Sequence, residues 1–190
     1  MNMPSMSTPS RGTRSTSTQH LIFHRILPSP VGPLRLAASD AGVHAIEFHA
    51  QRHPVPRDAR WQEGDHPLLE QVATQLDEYF SNQRTVFDLP LAPQGTEFQR
   101  AVWFALAAIP FGETVSYAQL AARIGKPAAV RAVGAANGRN PIPIVLPCHR
   151  VIGADGSLTG FGGGLPTKQF LLELEGALAK DEAAGDLFAA

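Results

Sequence analysis

The chain holds one cysteine in 190 residues, Cys148, inside the stretch IPIVLPCHRVIG. A thiol is a nucleophile only as its thiolate, and a free cysteine titrates near about 8.5, so something must take its proton. His149 is adjacent, and histidine is the usual base near neutral pH. Neighbours in a strand point to opposite faces, so contact requires a bend at Pro147 or a relaying water. A base also needs an acceptor on its second ring nitrogen to hold its orientation. Glu175, in LLELEG ahead of Gly176, is the candidate. The three residues together predict a Cys–His–Glu relay. Taken singly, each has another reading that stays open: an inert buried thiol, a hydrogen-bonded histidine, a solvated glutamate near a helix end.

The flanking segments suit such a site. Pro141, Pro143 and Pro147 fix φ at three positions, which makes the approach to Cys148 stiff. Asn140 can bond the neighbouring backbone and lock this turn. Downstream, GADGSLTGFGGGLP carries six glycines. Glycine lets backbone come close to a flat ligand, and Phe161 lies among them, so a pocket for a planar base over Cys148 is one reading. Simple loop flexibility is the other.

Several elements must position these groups. Turn signals SPVGP and SDAG separate β-prone pieces, predicting antiparallel hairpins from strands near Phe23–Leu27, Leu34–Ala38 and Val43–Phe48. QRHPVPRDARWQEGDHP reads as a polar connection. Asp65 is the expected cap of a helix over Pro67–Ser81, with Leu69, Val72, Leu76 and Tyr79/Phe80 on one face. A partly extended stretch follows, with Pro90 and Pro93 at an expected boundary. Thr96 is expected to cap a helix with an apolar stripe of Phe98, Val102, Ala105, Leu106 and Ile109, ended by IPFGET. Ser116 is expected to cap YAQLAARIG. Gly125 and Pro127 break that helix, and AAVRAVGAANG resumes it. Two short helices joined by such a turn form a helix-turn-helix signature. The second is small-sided, with Ala128, Ala129, Ala132, Gly134, Ala135 and Ala136, and carries one long cation, Arg131. Such a helix can pack tightly in a core, or enter a DNA groove with Arg131 reaching the base stack while a base is extruded toward the thiol. A last helix over Thr167–Lys180 turns Phe170, Leu171, Leu174 and Leu178 inward.

Composition bounds the function classes. With one cysteine no intrachain disulfide forms, which fits a reducing, cytoplasmic setting. No apolar run reaches the length of a membrane span, so no membrane partner is expected. The first twenty residues are Ser/Thr/Pro-rich without an apolar segment and read as a disordered tail; a transit peptide is the weaker alternative. Net charge is −1, but Thr114–Lys168 holds six bases (Arg123, Lys126, Arg131, Arg139, Arg150, Lys168) against one acid, while Asp40–Asp88 holds nine acids against four bases. One half is therefore expected to face a polyanion and the other to repel it, unless the asymmetry is only a solvated surface. His20, His24, His44, His49 and His53 have no thiol among them and no zinc-ligand spacing, so no metal is expected and these are structural or surface residues.

The stretch GETVSYAQLAARIGKPAAVRAVGAANGRNPIPIVLPCHRVIGADGSLTGFGGGLPTKQFLLELEG resembles the O6-alkylguanine-DNA alkyltransferases, also called methylated-DNA–protein-cysteine methyltransferases. The PCHR core, NPIPI and the SYxxLA element carry the likeness, which runs from about Gly95 to Gly176. Residues 23–88, including SPVGPLRLA, resemble more weakly the family's ribonuclease-H-like domain. The likeness implies an α+β fold. A ribonuclease-H-like sheet domain with a helix is expected over 21–90, and a winged helix-turn-helix catalytic domain over 91–180, with tails at 1–20 and 181–190. It implies stoichiometric transfer of an alkyl group from O6-alkylguanine, and from O4-alkylthymine, in flipped-out bases of double-stranded DNA onto Cys148, without a cofactor. It further implies His149 as a water-mediated base, Glu175 orienting it, and Asn140 bracing the turn. Tyr117 would turn the phosphate or protonate the departing guanine, Arg131 would fill the vacated stack, and Ala129 and Gly134 would meet DNA in the minor groove. Val151, Phe161 and Gly162 would line the pocket. Phe161 stands where tyrosine is common, which removes a hydroxyl but keeps an aromatic face, and Gly162 stands where serine or alanine is common, which would open the pocket toward larger alkyl groups. The chain would act as a monomer, with cooperativity along DNA left open. A cysteine hydrolase and a transcription regulator are the rivals; the first needs turnover, and the second has no use for a braced lone thiol.

Overall fold

A computed structural model describes residues 21–179. The expected tails at 1–20 and 181–190, and His20, lie outside the described residues. Strands β1 (Ile22–Leu27), β2 (Leu34–Ser39) and β3 (Gly42–Phe48) form an antiparallel meander with Leu27 opposite Leu34 and Leu34 opposite Phe48. A short β4 (Trp61–Glu63) adds in parallel to β1, so the sheet order is β3-β2-β1-β4. This strand sits inside the stretch read as a polar connection. Three residues with one aromatic give no alternation to read, and only β1 supplies its partner.

Helix α1 (Pro67–Phe80) packs Leu69, Val72, Leu76 and Tyr79 onto the sheet. His66, not Asp65, caps it: its backbone is extended and its Nδ1 accepts from Leu68 N at 3.2 Å, while Asp65 is exposed. Helix α2 (Glu97–Leu106) has the Thr96–Gln99 capping box. It stops three residues before Ile109, which is buried from the following loop. Trp103, absent from the expected stripe, is buried and donates Nε1–H to Ala136 O at 2.8 Å.

Ser116 and Gln119 form a second capping box at α3 (Tyr117–Arg123). A 3₁₀ turn over Pro127–Ala129 replaces the expected first turn of the next helix, so α4 is Val130–Asn137. The strands β5 (Val115–Ser116) and β6 (Val151–Ile152) pair in parallel. Helix α5 (Leu165–Leu174) begins earlier and ends earlier than expected, with Leu171 and Leu172 fully buried and Glu175 already outside it. Gly176 at φ 73 turns the chain there.

The two halves share one apolar core, from Val31 and Leu36 through Trp103 to Leu171. Backbone bonds join them as well. Pro90–Ala92 lies along β3 through Val43 N to Pro90 O and Ala92 N to Val43 O, both 2.8 Å, and Ile46 N bonds Pro141 O at 2.9 Å. The β2–β3 turn depends on Gly42. Its φ is +133, and a Cβ there would lie 2.7 Å from Pro90 O. Gly42→Ala combines a disfavoured φ with a backbone clash, so it is expected to cost about 2 kcal/mol or more. Urea unfolding should show a lower midpoint; an unchanged midpoint would refute the tight approach.

Candidate active site

Cys148 sits on a 3₁₀ turn, Cys148–Arg150, and not at the end of a strand. β6 follows at once and pairs with β5, which leads into α3, so the thiol turn is tied to the helix-turn-helix. The approach to it is held from within. Asn140 Nδ2 donates to Leu146 O at 2.6 Å and its Oδ1 accepts from Ile142 N at 3.0 Å. Inside that clasp Ile144 has φ 73, a left-handed conformation that a β-branched residue strongly resists. Strain of this kind costs about 1–3 kcal/mol and persists only where the surroundings over-determine it. Here Ile142, Ile144 and Leu146 are all fully buried.

In the turn, His149 is fully buried and its Nε2 lies 2.7 Å from Glu175 Oε1. Glu175 also accepts from Arg150 Nε (2.8 Å, Oε2), Arg150 Nη2 (3.0 Å, Oε1), Tyr79 Oη (2.7 Å, Oε1) and Gly112 N (3.3 Å, Oε2). Burial opposes its charge, but the hydrogen bonds of His149 and Arg150, with the Arg150 charge, overcome this and hold its carboxyl down at about 2. An anionic acceptor places the imidazole proton on Nε2. Nδ1 is then a bare acceptor, buried and without a partner among the described residues. Burial, with help from Arg150 and Lys168, lowers the His149 pKa against the pull of Glu175, so the ring is neutral at neutral pH.

Cys148 is 4% exposed. Burial pushes its thiol up to about 11, against smaller opposite pulls from Asn140 and the Lys168 charge. The resting group is a neutral thiol. Lys168 is itself fully buried, with Nζ donating to Val151 O at 2.6 Å and Thr159 O at 2.8 Å; burial lowers its pKa to about 8. Asn137, also buried, donates Nδ2 to Cys148 O at 3.4 Å, and its Oδ1 has no partner among the described residues.

Tyr117, the first residue of α3, reaches the glycine-rich loop through Oη to Thr159 O at 3.1 Å. Its ring meets Gly134 of α4, where an added Cβ would lie 3.7 Å away. Burial raises its pKa, so the phenol stays protonated. Phe161 is wedged between Phe48 (centroids 5.5 Å) and His149 (6.5 Å, edge-on). A cavity of about 250 Å³ opens here, lined among others by Gly134, Gly160, Phe161 and Gly162. Val151 does not line it; its side chain is buried in the core and its carbonyl holds Lys168. A Cβ on Gly162 would make only ordinary contacts, at 3.7–3.8 Å. Ala129 ends the 3₁₀ turn before α4, and Arg131 is exposed on α4.

Of the six bases expected to face a polyanion, Arg123, Lys126, Arg131 and Arg139 are exposed. Arg150 and Lys168 are not. Both are buried, the first against Glu175 and the second against carbonyls, so they serve the interior of the site. Sequence reasoning passed over their roles, and over Tyr79, Asn137 and Ile144. A lysine on the apolar face of α5 was the one local signal. Of the histidines, His44 is buried between Ser39 Oγ (2.7 Å) and Ala92 O (3.1 Å), while His49 and His53 are exposed. Among the described residues no group of three or more His, Cys, Asp or Glu side chains is placed to hold a metal ion.

Comparison with known proteins covers both halves. Residues 97–177 match the family described as 6-O-methylguanine DNA methyltransferase, DNA binding domain, and residues 22–93 match its ribonuclease-like domain. A methylated-DNA–protein-cysteine methyltransferase of Methanosarcina barkeri is 49% identical over 154 residues, 81% of this chain and 97% of that protein. Its counterpart in Mycobacterium tuberculosis is 46% identical over 167 residues, 88% of this chain and 98% of that one. The crystal structure of Mycobacterium tuberculosis OGT in complex with DNA superposes with a TM-score of 0.75 at 46% identity, covering 82% of this chain and 93% of that chain.

The buried carboxylate makes an acid-side expectation. Glu175 has a folded pKa near 2 against an ordinary value of 4.5, so the folded state binds fewer protons between these values. Its contribution is fully present above about 4.5 and is lost as pH falls toward about 2. Glu175→Gln leaves Arg150 buried without its counter-charge and is expected to cost about 3–5 kcal/mol at pH 7. Urea unfolding at pH 7 and pH 3 should show the deficit shrinking at the lower pH. An equal deficit at both would remove Glu175 as the titrating group.

Proposed function

The chain belongs to the 6-O-methylguanine DNA methyltransferase family, and we propose on that premise that it repairs DNA by moving an alkyl group from guanine O6 to Cys148 Sγ. One observation supports the residue assignment above the others. The only thiol of the chain is buried beside a neutral imidazole whose bare Nδ1 can receive a proton, while its Nε2 donates to a carboxylate fixed by an arginine.

The step balances as follows. The thiol proton passes to His149 Nδ1 through an intervening water, leaving a thiolate opposite Lys168. Sγ forms a bond to the alkyl carbon as that carbon's bond to O6 breaks, and the electron pair goes to the guanine. Guanine then takes up one proton, with the protonated phenol of Tyr117 as the donor at the loop. The proton that His149 took from the thiol then passes back through solvent to the Tyr117 phenolate, so that overall one proton moves from Sγ to guanine and both residues end neutral. A thioether has no good leaving group, and the chain has no second thiol, so each molecule acts once. O4-alkylthymine presents the same alkyl–oxygen bond and falls within the proposal.

The base must leave the duplex to reach a buried thiol. The small-sided α4 lets the helix sit close in a groove, with Ala129 and Gly134 against DNA and Arg131 projecting into the vacated stack. Phe161 gives the pocket an apolar wall, and Gly162 leaves room above it. The proposal places the protein on DNA as a monomer, in a reducing compartment that keeps Cys148 unoxidised.

Intact mass after incubation with duplex DNA containing O6-methylguanine tests the reading. One methyl group gained per molecule is expected, with none in Cys148→Ala, which should still bind DNA. Continued turnover would point to a hydrolase, and DNA binding without a mass gain to a regulator.

Arg131 gives a second test. A phosphate contact needs only a point charge, whereas filling the stack needs a planar guanidinium. Arg131→Lys is expected to slow reaction with duplex roughly tenfold, equivalent to about 1.4 kcal/mol of lost compensation for flipping, while leaving the rate with free O6-benzylguanine nearly unchanged. If the ratio of the two rates does not move, Arg131 plays no part in extrusion.

A further inference from the structure

We infer that Arg52, in the turn after β3, closes a phosphate grip with Arg139, which follows α4, so that the N-terminal half also holds the DNA strand whose base is extruded. The inference rests on the alkyl-transfer reading above and adds to it a contact outside the helix-turn-helix.

Three observations converge. The first is charge. The stretch Asp40–Asp88 has four bases, and three of them are paired: Arg57 with Glu47 at 2.8 Å, Arg60 with Asp58 at 2.6 Å and Arg84 with Glu78 at 2.6 Å. Arg52 is exposed, and its guanidinium has no partner among the described residues; the same holds for Arg139. Within this acid-rich stretch, Arg52 is the one arginine left without an ion pair among the described residues.

The second is position. The cavity is lined by Arg52 and His53 from the turn after β3, by Gly134 on α4 and Arg139 after it, and by Gly160 and Phe161 of the pocket loop, and no acidic side chain lines it. Gly134 and Gly160 both adjoin Tyr117, and Phe161 adjoins His149, so this cavity is the mouth of the site. A nucleotide turned into it carries a phosphate on each side of its sugar. Both phosphates then stay at the opening of the cavity, which two exposed arginines, Arg52 and Arg139, help to line. Arginine matches phosphate with paired hydrogen bonds.

The third is rigidity. The Arg52 backbone N–H donates to Gly162 O at 3.0 Å, and the Phe48 ring lies so close to Gly163 that a Cβ there would be 2.5 Å from it. Gln51 Oε1 accepts from Phe48 N at 3.1 Å. The turn is thus fastened to the pocket loop through backbone and ring contacts that do not use the Arg52 side chain. A side chain on a fixed turn loses less freedom on binding than one on a free loop.

The test uses the full chain with Arg52→Ala, Arg52→Lys and Arg139→Ala. Substrates are a duplex with O6-methylguanine and free O6-benzylguanine. Arg52→Ala keeps the backbone bond to Gly162, so the rate with the free base should equal wild type. With duplex it should fall roughly tenfold, the worth of one charge-assisted contact. The log–log slope of duplex affinity against salt should become less steep by about 0.9 in Arg52→Ala and in Arg139→Ala, and should be retained in Arg52→Lys. An unchanged slope with an unchanged ratio of duplex to free-base rates overturns the grip while leaving the alkyl-transfer reading intact. A wild-type protein that reacts with neither substrate overturns both.

Discussion

The carboxylate of Glu175, at the cap of α5, accepts from five donors on three separate parts of the chain: Tyr79 on α1, Gly112 in the loop before β5, and His149 and Arg150 on the thiol turn. Taking an ionised carboxylate and a guanidinium out of water costs several kcal/mol each, and only near-complete hydrogen bonding returns it. That requirement makes the cluster all-or-none. If any of the donor-bearing elements drifts, a buried charge loses a partner. The helix of the sheet half, the thiol turn and the last helix are therefore placed relative to one another by a single group. The same group decides which nitrogen of His149 is free.

The thiol next to it is kept quiet. An active-site cysteine used repeatedly gains from a low pKa, since the thiolate is then always present. Cys148 is held in the opposite state, buried and raised to about 11. Under the alkyl-transfer reading, in which the thiol is used once, this has a physical advantage: a neutral, enclosed thiol resists oxidation and stray alkylation. The compensation is present in the walls. Lys168 is a buried amine beside the thiol, and Nδ1 of His149 is the bare nitrogen that the proposed reaction uses as proton acceptor. Electrostatic effects between such groups are strengthened by burial, where the effective dielectric is low.

The segment leading to the thiol stores strain in Ile144 and is clasped by Asn140 from inside and by Ile46 of β3 from outside. The sheet half thereby contributes more than a platform. Its third strand bonds the strained segment, and the turn after that strand bonds the pocket loop at Gly162. Local rigidity of this kind limits displacement of the thiol, and in a positioned reaction a misplacement of about 1 Å can cost roughly a hundredfold in rate.

Features governed by neighbours in sequence were legible without coordinates. The Thr96–Gln99 and Ser116–Gln119 boxes close over three residues, the β1–β3 meander follows from alternation and turn residues, and the clasp of Asn140 reaches only to Leu146. The lone cysteine beside a histidine needed no fold to be noticed. The cap of α1 was misplaced by one residue because Asp65 and His66 both carry acceptors, and backbone direction chose between them. What tertiary structure alone decided lies in long-range pairing. Arg150 and Lys168 are cations that sequence assigns to a surface, and their burial depends on acceptors 25 and 17 residues away. Tyr79 meets Glu175 across 96 residues, and β4 exists because β1 offers it an edge. Charge and periodicity describe what a side chain prefers in water. Which partner replaces that water is settled only when the whole core packs, since the desolvation cost and its repayment arise together at that moment.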